Sequence, residues 1–256
     1  MEVDGALPLI LDLGTGLRAL GEYLHASSTT DGPLRATALL THLHYDHVLG
    51  LPFFAPMRDP GAVLDVHGPS QVGGTLHDVV AGIVQPPFFP IHMGQFQGTI
   101  NFHELDGSEK FAVGPIEVTA RSVPHIGHTL GYRIEADGAV VAYLSDHQAP
   151  MDRRSVGEHV LALCDGADLV VHDAQYSNQE FDALPDWGHS TVDYAVHVAA
   201  EAGARRLALF HHDPAHNDSV IDTMLAHAQH LASGVPTLEV SAASEGTTID
   251  LGKAGR

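Results

Sequence analysis

Four side chains able to bind a metal lie within six residues of each other, in His42-Leu43-His44-Tyr45-Asp46-His47, and packing alone does not account for that spacing. The preceding run 35–41, rich in Ala, Leu and Thr, predicts a strand that ends at Thr41. The four therefore fall in the loop after a strand, where side chains can turn onto one centre. Strand-like alternation points His42 and His44 the same way. Asp46 and His47 sit just past the turn, where a helix begins, and can reach a second cation beside the first. The segment reads as the floor of a two-metal site.

Later polar residues repeat the arrangement one at a time. Runs rich in branched residues predict strands at 7–13, 35–41, 63–67, 99–102, 116–123, 130–135, 139–144, 169–171, 207–210, 237–240 and 248–251. Helical patterns cover 15–25, 71–84, 155–164, 191–202 and 219–232, with Ser190 and Asp193 resembling a capping box before the fourth. His125, Asp146 and His211 each follow a predicted strand, as His42 does, and Asp146 suits a bridging ligand. His128 competes with His125, and His212 and His216 with His211; alignment to the strands favours His125 and His211. Asp12 is either an acceptor for a ligand imidazole or a turn acid before Gly14. The apolar segment 85–97, with three prolines, either overhangs a pocket or packs as a surface loop.

No Pro- or Ser-rich linker or repeat divides the 256 residues, which predicts one domain spanning 1–256. The single cysteine, Cys164, excludes an intramolecular disulfide and a Cys-based zinc cluster, and its apolar surroundings suggest packing. The first 13 residues lack a basic leader and a membrane-length apolar run, so a cytoplasmic protein without membrane contact is expected. Against 12 Lys and Arg stand 32 Asp and Glu, a formal net charge of −20. Clustered cationic residues neutralise phosphates in nucleic-acid binders, and here only the pairs Arg153-Arg154 and Arg205-Arg206 cluster. The expectation is a small-molecule substrate and no tRNA or other large nucleic acid. Bound divalent cations would still attract a small anion locally.

Taken together, the stretch from Leu9 to Gly16, the His42 to His47 segment and the strand carrying His211 resemble the metallo-β-lactamase superfamily. His125 with Gly131-Tyr132, the segment His172-Asp173-Ala174-Gln175-Tyr176, and His189-Ser190-Thr191 resemble its ribonuclease Z-like phosphodiesterase branch. The resemblance implies an α/β fold, an αββα sandwich of two mixed β-sheets flanked by helices. It also implies a phosphodiesterase that uses two divalent metal ions. Zinc suits the imidazole-rich set best, with manganese or iron as alternatives. His42, His44 and His125 would hold one ion, Asp46, His47 and His211 the other, and Asp146 would bridge both. Two cations about 3.5 to 4 Å apart let a hydroxide bridge them and attack phosphorus. Asp173 and His189 would manage the proton of the leaving group, and Asp46 is counted with them as catalytic.

This chain departs from the branch in three ways. Asp173 replaces a Glu, Ser145-Asp146-His147 stands where Gly-Asp-Thr is usual, and no Gly- and Pro-rich arm for tRNA is evident. A cyclic nucleotide or other compact phosphodiester is therefore the expected substrate. The start looks short by one or two edge strands, and a partner subunit of a homodimer could cover the exposed edge. A β-lactam hydrolase would place a Cys among the ligands, and a di-iron oxygen reductase a Glu at position 44. The alternatives that stay open are a lactonase or carboxylic ester hydrolase and a non-catalytic metal-binding regulatory protein.

Overall fold

The computed structural model of the chain describes residues 1–27 and 32–252. Its contacts divide the chain into two compact units, Met1–Gly107 with Val113–Pro115, and Ser108–Ala112 with Ile116–Arg256.

The first unit alternates strand and helix: β1 (Leu9–Leu11), α1 (Leu17–Ser27), β2 (Arg35–Leu39), α2 (Tyr45–Val48), β3 (Val63–Pro69), α3 (Leu76–Ile83) and β4 (Thr99–Leu105). The strands form a four-stranded parallel sheet in the order β1-β2-β3-β4. Parallel neighbours need crossovers, and alternate strand residues give the helices a face to cover. Ala36 and Ala38 of β2 and Leu64 and Val66 of β3 are buried in one cluster with Leu17 of α1 and Leu76 and Val80 of α3. Within the 85–97 segment, Phe89, Ile91 and Phe96 join Phe54, Met57 and Arg58 around a cavity of about 240 Å³.

The second unit carries most of a seven-stranded mixed sheet, in the order β11-β10-β9-β8-β7-β6-β5. Its elements are β5 (Lys110–Val113), β6 (Ile116–Ser122), β7 (Leu130–Ala136), β8 (Ala139–Leu144), α4 (Glu158–Cys164), β9 (Leu169–Asp173), α5 (Asn178–Ala183), α6 (Val192–Glu201), β10 (Arg206–Phe210), α7 (Asp218–Ala232) and β11 (Glu239–Ala242). Strands β8 to β11 are parallel, and β7 runs antiparallel to both β6 and β8. It follows that β6, β8, β9 and β10 all run the same way, and their C-terminal ends share one rim of the sheet. That rim is where an open α/β sheet gathers its functional loops. Ala142 and Leu144 of β8, Val170 of β9 and Leu207 and Leu209 of β10 pack with α4, α6 and α7 in a single apolar cluster that includes Cys164. Burial raises the Cys164 thiol to about 12, as the sequence position suggested for a packing residue.

The structure differs from the sequence expectations at several elements. Residues 248–251 form no strand, whereas 110–113 and the short helix 178–183 were not anticipated. The helix expected at 71–84 starts only at Leu76, because Gly73 takes a φ of 89° and Thr75 with Asp78 forms the capping box. The cap of α6 is Thr191, one residue later than expected, with its side chain accepting from the Tyr194 N–H. Ser190 is left for another task. Among the described residues no helix is long and apolar enough to cross a membrane.

Candidate functional site

In the first unit the polar cluster is built around Asp12, which follows β1 at a φ of 58°. Its Oδ1 accepts from the Thr41 backbone N–H at 2.7 Å and the Thr41 hydroxyl at 3.0 Å. Its Oδ2 lies 2.9 Å from His47 Nδ1, so both readings of Asp12 apply: a turn residue and an acceptor for an imidazole. Because the Thr41 hydroxyl donates to Asp12, it can only accept from His42 Nδ1, 3.0 Å away. Both buried imidazoles therefore have Nδ1 engaged and present Nε2, the arrangement found behind metal-binding histidines. His47 Nε2 lies 3.1 Å from Asp46 Oδ2, and the His42 ring is 4.4 Å from that of His44 and 4.2 Å from that of His47. His44 and Asp46 are exposed, His42 and His47 buried.

Two glycines hold this cluster together. Leu13 N–H donates to the His47 carbonyl and Gly50 N–H to the Leu13 carbonyl, both at 2.8 Å, pinning α2 to the loop after β1. A Cβ on Gly50 would overlap the Gly14 carbonyl, and one on Gly14 would overlap the Asp46 carbonyl. Only glycine permits that approach.

The second unit assembles its share along the common rim. His125 follows β6, Asp146 follows β8, Asp173 ends β9 and His211 follows β10 at a φ of 57°. His211 Nε2 is 2.9 Å from Asp146 Oδ1, and His125 Nε2 is 3.8 Å from the same oxygen. His125 Nδ1 donates to the Gly188 carbonyl at 2.6 Å, which leaves Nε2 toward Asp146. Gly188 has a φ of 94°, and a Cβ there would overlap the His125 ring. The structure thus brings His211 to Asp146; His216 bonds Glu180 at 2.7 Å instead, and burial lowers the half-buried His212. His125 is likewise the residue in place, while His128 lies against Ser122.

His189 stands beside this group, with Nδ1 3.9 Å from Asp146 Oδ1 and 2.9 Å from Asp173 Oδ2. Ligand atoms of His125, Asp146 and His189 all lie within 4.8 Å of one another, a group that could hold a metal ion. Imidazole nitrogens with Nδ1 fixed, converging on a buried carboxylate, are the donor chemistry of zinc and similar divalent ions. The Asp173 carboxylate is wholly buried and collects backbone N–H bonds from Gln175 at 3.1 Å, Ser190 at 3.2 Å and His147 at 3.3 Å. The sequence assigned no role to His147 or to the ring of His172, and it read the Ser190 side chain only as a helix cap. The one signal was that His147 stands where the resembled branch has Thr.

Residues 10–212 match the family described as the beta-lactamase superfamily domain. Ribonuclease Z of Lactococcus lactis subsp. lactis is 30% identical, over 80% of this chain and 80% of that protein. Among solved structures, the human tRNase Z short form superposes with a TM-score of 0.63 at 22% identity, covering 84% of this chain and 85% of that one. The metallo-beta-lactamase fold protein YhfI from Bacillus subtilis superposes at 0.67 and 18% identity, covering 95% and 86%. The fold is therefore the metallo-β-lactamase fold that the resemblance implied, with one sheet mixed as expected and the other wholly parallel. One expectation is overturned: with a relative named ribonuclease Z 30% identical over four-fifths of the chain, tRNA and other large nucleic acids are not excluded as partners. The physical reason is that a net charge of −20 sums the whole surface, whereas phosphate recognition depends on the local field.

Proposed function

Because the chain belongs to the beta-lactamase superfamily, and counts ribonuclease Z among its relatives, we propose that it is a metal-dependent phosphodiesterase. The bond broken is a phosphodiester P–O bond, compact in a cyclic nucleotide and extended in RNA. In this reading His42, His44 and His125 would hold one divalent ion and Asp46, His47 and His211 a second, with Asp146 available to both. Zinc is the ion best suited to so many imidazoles. When bound, such ions supply an acidified water and neutralise charge on the phosphoryl oxygens.

The residues of the chain do the rest. Asp12 and Thr41 fix the rings of His47 and His42, and Gly188 that of His125, so that Nε2 of each is the donor. Asp173 engages His189 Nδ1, which makes Nε2 the nitrogen that can hand a proton to the departing alkoxide. Asp46, with Oδ2 3.1 Å from His47 Nε2, would serve as a ligand and as an acceptor for the attacking water. The Asp173–His189 pair beside Asp146 is the observation that carries the reading, since an ester with a poor leaving group needs a placed acid.

The test is metal analysis of the purified protein with hydrolysis of bis(p-nitrophenyl) phosphate, a cyclic nucleotide and a 3′-extended RNA, each beside His44→Ala and His189→Ala. Bound metal with turnover lost in His44→Ala, and with His189→Ala impaired on the alkoxide-leaving substrates, supports the reading. Metal bound with no phosphodiester cleaved, or full activity in His189→Ala on the cyclic nucleotide, would sink it.

A further inference from the structure

Behind Asp173 lies a pair of imidazoles that the proposed chemistry does not use. His172 Nδ1 is 2.7 Å from the Asp173 carbonyl oxygen, which can only accept, so the proton sits on Nδ1. His147 Nδ1 is 2.9 Å from His172 Nε2. Both rings are wholly buried. With its proton on Nδ1, His172 offers the Nε2 lone pair, to which His147 donates from its own Nδ1. The tautomers of both rings follow from one carbonyl.

The main chain of His147 completes the arrangement. Its N–H donates to Asp173 Oδ2 at 3.3 Å, and its carbonyl accepts from the Ser190 hydroxyl. Hydrogen bonds therefore run in a closed loop from the His147 ring to the His172 ring, to the Asp173 carbonyl, and from the Asp173 carboxylate back to the His147 backbone. The loop ties the carboxylate to its own main chain from two sides. Ser190 fastens the residue next to His189 to the same point. A lone buried imidazole could be replaced by an apolar ring of similar size, but such a ring could not donate to His172 Nε2.

We infer that His147 and His172 are positioning residues, a buried, mutually hydrogen-bonded imidazole pair that holds Asp173, and through it His189, for proton transfer to the leaving group. The inference rests on the phosphodiesterase reading above. Asn at 147 places an amide N–H near where Nδ1–H stands, whereas Gln places its amide near the Nε2 position. The experiment measures kcat and KM of the metal-loaded full chain and its His147→Asn and His147→Gln variants. One substrate is bis(p-nitrophenyl) phosphate, whose leaving group needs no proton; the other is a dinucleoside phosphate, whose alkoxide does.

The Gln variant is expected to lose about tenfold or more in kcat on the dinucleoside phosphate, with KM and p-nitrophenolate release nearly unchanged, and the Asn variant to recover most of it. Equal losses on both substrates, or Asn no better than Gln, would overturn the inference. Should the Gln variant not fold, Ser190→Ala, which removes the bond to the His147 carbonyl, is expected to give the same split. Long-range ¹H–¹⁵N correlation of the wild type adds a readout independent of turnover. Two neutral Nδ1–H rings support the pair, and a proton on His172 Nε2 rules it out even if no substrate is cleaved and the phosphodiesterase reading itself fails.

Discussion

Asp12 with His47 in the first unit and Asp173 with His189 in the second are the same device: a buried carboxylate 2.9 Å from an imidazole Nδ1. Their surroundings differ. Asp12 shares its oxygens with Thr41, whose hydroxyl also sets His42, so one carboxylate orders two imidazoles within a single short loop. Asp173 is held by backbone N–H groups from three separate segments and orders one imidazole, whose side chain is 13% exposed while that of His47 is 6% exposed. The lesson is that a carboxylate–imidazole pair does not announce its job. A pair whose ring is sealed inside a ligand motif suits metal retention, and one whose ring reaches the rim suits proton delivery.

The comparison breaks most visibly at the carboxylates themselves. Asp173→Ala is expected to lower kcat by about 10²- to 10⁴-fold on a phosphodiester with an alkoxide leaving group, while its metal content at saturation stays that of the wild type. Asp12→Ala is expected to do the reverse, weakening metal affinity by about 10- to 100-fold by competitive chelator titration and restoring turnover at excess metal. If both variants lost metal equally, the two pairs would share one role and the division drawn here would fail.

A smaller effect sharpens the mechanical half of the contrast. Gly50→Ala forces a Cβ onto the Gly14 carbonyl and is expected to cost about 1 to 3 kcal/mol in denaturant unfolding, with metal affinity falling alongside. Gly188→Ala presses on the side chain of His125 instead and adds strain at a positive φ, so it is expected to reduce metal affinity more than stability. Unfolding curves and chelator titrations on both variants would show whether the losses separate in this way.

The smallest expected effect is on the acid side of stability. Burial first, and the stacked ring of His103 second, lower His67 from its ordinary 6.5 to about 4. Between these values the unfolded chain binds the proton that the folded chain refuses, so stability falls as pH drops from about 6.5 toward about 4 and levels off below. Denaturant midpoints of the metal-free protein at several pH values should decline more steeply than those of His67→Phe. Parallel curves for the two proteins would remove His67 as the cause.

Much of the site could be read from the chain because its densest part is local. Within residues 42–47 the spacing itself brings four donors to one loop, and the strand-end positions of His125, Asp146 and His211 follow from hydrophobic runs that stop one or two residues earlier. The short strand 110–113 and the short helix 178–183 are not legible in the sequence because short elements carry too few periods to register. Strand alignment favours His211 over His212 as the last ligand, and the structure sets His211 Nε2 2.9 Å from Asp146 Oδ1.

The sequence by itself determined the donor inventory, the α/β alternation and the likeness to a metal-binding hydrolase family, since these depend on residue type and near spacing. Whole-chain charge, also a property of sequence alone, misled on nucleic acid because it averages over positions that the fold separates. Tertiary structure alone decided which nitrogen of each imidazole faces its neighbours and what stands behind Asp173. Those contacts join residues 25 positions apart at His147 and His172 and 43 apart at His147 and Ser190. No local pattern encodes them, because a hydrogen bond selects its partner by distance and direction in space, and those are set only once the sheet has aligned its strand ends.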